Sequence, residues 1–112
     1  MNARLQLRLW AAQRLSAMVL ALCVLVHLAT LIYAVRGGLS AAEILGRTHG
    51  SSGWASFYAL FVLAVAVHAP IGLRTIAMEW LGWRGRSLDI AVIAIGIALV
   101  VLGLRAVWAV YR

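Results

Sequence analysis

One stretch concentrates the reactive side chains: His68-Ala69-Pro70-Ile71-Gly72-Leu73-Arg74, followed by Thr75 and Glu79-Trp80. An imidazole sits deep in an apolar run, a glycine follows four residues later, and an arginine stands where the run ends. His27 is a second imidazole within a second apolar run. An ionisable group in hydrocarbon is costly unless it is paired or ligated, so both are candidates for metal ligation or proton transfer. The acids do not support catalysis. The chain has three, Glu43, Glu79 and Asp89, and none lies in the middle of an apolar run. No phosphate-binding glycine loop, Cys-x-x-Cys or nucleophile elbow is present. The chain is not expected to be an enzyme on its own.

These side chains need elements to hold them. At 112 residues, 65% hydrophobic and 12% charged, the chain has room for one domain, and that domain could not hide its apolar surface from water. Its natural solvent is a bilayer. The fold expected is all-α, a three-helix membrane bundle spanning about 10–35, 54–80 and 88–111. The first apolar stretch is too long for a signal peptide and reads as a retained span. Leu15 to Val35 alone is about 30 Å long as a helix, enough to cross. Ser40-Ala41-Ala42-Glu43 matches a capping box, so a short surface helix is expected at about 40–46, with Gly46 as its stop. His49, among Gly and Ser, reads as solvated.

The net charge of +7 comes from arginines lying between the apolar runs, which fits helix ends and loops and not a nucleic-acid patch. Arg4, Arg8, Arg14, Arg74, Arg84 and Arg86 fall on the N-terminal side; Arg36, Arg47, Arg105 and Arg112 fall opposite. That bias favours a cytoplasmic N-terminus. The lone cysteine, Cys23, reads as a small buried hydrophobe.

Polar residues share faces. Gln13, Ser16, Cys23, His27 and Thr30 lie on one face of the first span, and His68, Gly72, Thr75 and Glu79 on one face of the second. Pro70 is expected to bend the second span near His68 and shape a pocket there. Asp89, Gly96, Gly103 and Ala106 form a close-packing stripe on the third.

Imidazole is a common axial ligand to haem iron, and Gly72, one turn from His68, would leave room for a porphyrin edge. Arg14 and Arg74, with Arg84 beside them, lie near the inner interface, where propionates or a quinone oxygen could be held. Zinc is disfavoured, since the spans offer no carboxylate and one thiol. If Trp10 and Trp80 share a level, His27 and His68 differ in depth by about 7 Å, which makes a single haem clamped by both awkward. Each would then face a ligand on another chain.

The chain resembles the three-helix cytochrome b anchor subunits of succinate dehydrogenase and fumarate reductase (respiratory complex II). Gln13-Arg14-Leu15-Ser16-Ala17 is similar to the His-Arg-x-Ser-Gly pattern opening the first span of those anchors. His68 to Arg74 is similar to their His-x-x-x-Gly-x-Arg pattern in the second. The resemblance covers roughly Trp10 to Tyr111.

It implies that His68 is an axial ligand of haem b, that Arg14 and Ser16 lie near the quinone pocket, and that Arg74 meets propionate or quinone. Glu79-Trp80 is similar to an Asp-Tyr pair of the companion anchor, which implies quinone contact at Trp80. Gln13 and Thr75 stand where the family often carries histidine. His27 has no counterpart in single-haem anchors and resembles the first-span ligand of the two-haem type.

The implied cofactors are one or two haems b shared with a partner chain, with ubiquinone or menaquinone as bound substrate. The implied partners are a flavoprotein subunit, an iron–sulfur subunit, and a second anchor subunit or a second copy of this chain. The implied place is a bacterial inner membrane. Two rival readings are a haem-free structural anchor, and a small proton-coupled transporter using His68 as relay.

Overall fold

The structure, a computed structural model, describes residues 2–112. Four helices account for nearly all of them: α1 (Ala3–Arg36), α2 (Ala41–Thr48), α3 (Ser52–Trp80) and α4 (Arg86–Tyr111). Three of these, α1, α3 and α4, are long and apolar enough to cross a bilayer, as expected. The α1 helix starts earlier than the apolar pattern suggests, because the Asn2 side chain accepts a hydrogen bond from Leu5 N–H at 2.8 Å and caps the lead-in. It meets no glycine or proline until Gly37, and Gly38 at φ 64° turns the chain away.

The capping box at Ser40 forms. Glu43 N–H donates to Ser40 Oγ, and Ser40 N–H donates to the Glu43 carboxylate, each at 3.2 Å. Gly46 does not end α2. The helix runs on to Thr48, where the Thr48 hydroxyl donates to Val110 O at 3.0 Å and Gly50 N–H donates to Tyr111 O at 2.6 Å. Carbonyls in the last turn of a helix have no partner of their own, so the end of α4 supplies a docking point stronger than the local glycine signal. Gly50 reverses there at φ 70°.

The α3 helix is the middle element. It packs against α1 on one side and α4 on the other, while α1 and α4 hardly meet. Pro70 sits within it without ending it. Pro70 is buried against α4, where a Cβ at Gly96 would lie 3.4 Å from Pro70 Cγ and 3.5 Å from Ala66 O. Ala66 O is the carbonyl that Pro70 leaves without its helical donor, and the small residue lets α4 approach it. A Cβ at Gly103 would overlap Val62. The expected close-packing stripe of α4 is therefore the α3 contact face.

The bundle measures 49 × 24 × 23 Å. Few side chains are buried in it, among them Ser16, Cys23, Ala64, Ala77 and Leu88. Leu15, Leu22, Leu25, Ile93 and Leu102 are mostly exposed, as lipid-facing residues of a multi-pass membrane protein are.

Candidate functional site

The polar stripes of α1 and α3 face each other, and their lower ends frame a cleft of about 440 Å³. Gln6, Trp10 and Gln13 come from α1; Arg74, Thr75 and Glu79 from α3; Arg84 from the α3–α4 turn. The stripe on α1 thus begins at Gln6, seven residues before Gln13, an extension the sequence already carried at helical spacing.

Gln13 is the hinge of this wall. Its Nε2 fills the space over Gly72, where a Cβ would stand 3.3 Å from it. Its Oε1 is sealed from solvent and has no hydrogen-bond partner. A buried amide oxygen without a donor is costly and marks a position where a donor from outside the chain would be welcome.

Arg74 is fixed from the other side. Its Nε donates to Asp89 Oδ1 at 3.0 Å, the one ion pair among the described residues. The contact uses a single nitrogen, so both terminal nitrogens keep their donors. A second cleft of about 660 Å³, lined by Gln6, Arg74, Arg84 and Asp89 among others, lies on the far side of that guanidinium. Asp89 looked like part of the α4 packing stripe; it also orients Arg74 across the helix–helix contact.

His68 lies next along the same interface and is half-buried. Its Nδ1 is 3.5 Å from Ser16 Oγ, and Ser16 in turn donates to Gln13 O at 3.1 Å. His68 Nε2 has no hydrogen bond and is not among the sealed side-chain atoms. His27 sits at another level, edge-on to Tyr58 and Phe61 at 5.9 and 5.7 Å between ring centres. Its Nδ1 is sealed and without a partner, and the ring borders cavities of about 140 and 460 Å³ beneath α2.

The facing pairs Ser16–His68 and Gln13–Gly72 set the register of the antiparallel helices. In that register Trp80 faces the region of Leu5, so Trp10 lies about five residues, or about 7 Å, deeper than Trp80. The two tryptophans do not share a level, and the depth difference between the histidines is about 15 Å, not about 7 Å. Two imidazoles so separated cannot lie on opposite sides of one iron.

The other expected residues fall outside the cleft wall. Arg14 is exposed, with its guanidinium 5.5 Å over the Trp10 ring. Trp80 is 82% exposed. Ser16 is 7% exposed, one turn above the cleft. No cluster of three or more His, Cys, Asp or Glu exists among the described residues. A metal at His68 would thus take its remaining ligands from outside the chain.

An all-helical bundle with three membrane-capable helices, polar clefts around Arg74 at one end and single histidines between its helices defines a multi-pass membrane protein. The family model for the succinate dehydrogenase/fumarate reductase transmembrane subunit matches residues 1–104, and the chain belongs to that family. It is therefore a membrane subunit of a complex II-type assembly. Neither a curated protein nor a solved structure matches the chain.

Proposed function

We propose that this subunit carries haem b and passes electrons between an iron–sulfur subunit and membrane quinone. The observation that supports this most is His68. Its Nδ1 is backed by a hydroxyl and its Nε2 is left without a protein partner, inside a membrane helix and directly above a cleft rich in donors. That donor set suits a haem ligated by one imidazole from this chain and one from a second anchor subunit or a second copy. When bound, haem b supplies a one-electron carrier.

The residues around it have definable parts. Arg74 borders the site from α3, with Asp89 holding it in place, while the room that Gly72 leaves is taken by the Gln13 amide and not left open for a porphyrin edge. Arg74 and Arg84 offer charge-assisted donors to a quinone oxygen or a propionate. Trp10 and Trp80 offer indole donors at the membrane face, and Arg14 draws anionic groups to the same rim. Ser16 bears on the quinone cleft through Gln13, whose carbonyl it holds. Glu79 is the one acid on the cleft wall and is exposed, so it can hand protons to a quinone oxygen. His27 is the ligand proposed for a second haem at the outer level.

The flavoprotein and iron–sulfur subunits would dock on the arginine-rich side, taken as the cytoplasmic face of a bacterial inner membrane. Ubiquinone or menaquinone would enter the cleft from lipid. The test is a reduced-minus-oxidised spectrum of the purified assembly. A b-type band is expected, with the component held by His68 lost in His68→Ala and the whole band kept in His49→Ala. An assembly with no such band would leave a haem-free anchor, in which the Ser16–His68 contact merely satisfies a histidine between helices.

A further inference from the structure

Resting on the haem reading above, we propose that Ser16 is a positioning residue for His68, fixing its imidazole in the form that carries hydrogen on Nδ1 and a lone pair on Nε2. Three observations on one line support this. The Ser16 hydroxyl has one hydrogen, and it points to Gln13 O at 3.1 Å. The same oxygen lies 3.5 Å from His68 Nδ1. Ser16 is 7% exposed, so water does not compete for that oxygen.

With its hydrogen committed to a carbonyl, the hydroxyl has only lone pairs to offer, and a lone pair faces Nδ1 favourably only when Nδ1 bears the proton. The chain His68 Nδ1–H to Ser16 Oγ–H to Gln13 O then runs in one direction, each bond polarising the next. A metal-bound histidine almost always donates its other N–H in this way, which fixes the ring and makes it a better electron donor. Here the acceptor is a hydroxyl on the neighbouring helix. The packing of α1 on α3 thereby sets the electronic character of His68, and α1 contributes to the redox centre without touching iron.

A richer donor favours ferric over ferrous iron. Removing the acceptor should shift the balance toward ferrous. At 3.5 Å the bond is long, so the shift is modest: about threefold in the ferrous-to-ferric ratio, or about 28 mV upward for a one-electron couple at 59 mV per tenfold. The experiment is a potentiometric titration of the b band in membranes holding the whole assembly, with low-temperature electron paramagnetic resonance of the ferric haem. The wild type, Ser16→Ala and Ser16→Thr are compared. Ser16→Ala should raise the midpoint and move the ferric g values, while Ser16→Thr, which keeps the hydroxyl, should stay at the wild-type position.

If Ser16→Ala does not assemble, Ser16→Cys replaces it, since sulfur accepts weakly and the same upward shift is expected. A b band with unchanged midpoint and g values in Ser16→Ala or Ser16→Cys would overturn the assignment of Ser16 while leaving haem at His68 intact. Absence of any b band in the wild type would instead sink the haem reading, and this inference with it.

Discussion

At the scale of single residues, the cleft owes its shape to two pairs that cross helix boundaries. Gln13 occupies the space left by Gly72, and Asp89 steadies Arg74. If Arg74 donates to quinone, Arg74→Leu removes a charge-assisted bond worth roughly 1.5–3 kcal/mol, so the quinone KM should rise about 10- to 100-fold in a quinone reductase assay. Asp89→Asn leaves the guanidinium charged and only less well aimed. Its pair is half exposed on the acid's side, so the rise should be about fivefold or less, with the b band unchanged. An Asp89→Asn effect as large as that of Arg74→Leu would show that Asp89 itself touches the substrate. His68 and Gly72 stood out in the sequence because they share a run and a helical face, and Arg74 because it is the charge that ends the run. The Arg74–Asp89 pair was not, since fifteen residues and a turn separate the two. Gln6 was masked by a lead-in whose leucines, Leu5, Leu7 and Leu9, alternate and so hide the helical period.

At the scale of helices, the α3–α4 contact is ordered by side-chain size. Gly103→Leu would drive a side chain into Val62 and should destabilise the bundle by about 1–3 kcal/mol, seen as a lower unfolding temperature of the detergent-solubilised assembly. Gly96→Ala places its methyl at 3.4 Å from Pro70 Cγ, near ordinary contact, and should be nearly silent. The small-residue period in α4 made this face legible in advance. The end of α2 was not legible, because its stop depends on carbonyls of α4 sixty residues away in the chain and not on Gly46. Ser40→Ala removes the α2 cap and should loosen that helix by about 1 kcal/mol. Faster amide exchange confined to residues 41–48 is the expected readout.

At the scale of the molecule, the chain places its charged groups at the two ends of a bundle whose sides are lipid-like. The arginine bias predicts that the Gly82–Gly85 turn faces the cytoplasm and the α2 segment faces out. Cysteines introduced at Gly82 and Gly46, in a background where Cys23 is serine, should be labelled by a membrane-impermeant thiol reagent from opposite sides of sealed vesicles. Labelling of both from one side would reverse or break the assigned topology. The three-span layout was readable from length and apolarity alone. The register of α1 against α3 was not, because aromatic residues at a membrane face mark a zone several ångströms thick and not a plane. That is why the levels of His27 and His68 had to come from Ser16 and Gly72.

Because α3 lies between two neighbours that scarcely meet, its opposite flanks can be altered separately wherever no residue serves both, as Arg74 does through Asp89. Val62, Ala66 and Pro70 fasten it to α4, whereas His68 and Gly72 work against α1. Substitutions at Val62 and Gly72, ten residues apart and without a shared partner, should show additive losses. An engineer could then retune the chemistry on one flank while leaving the grip of the other as it stands.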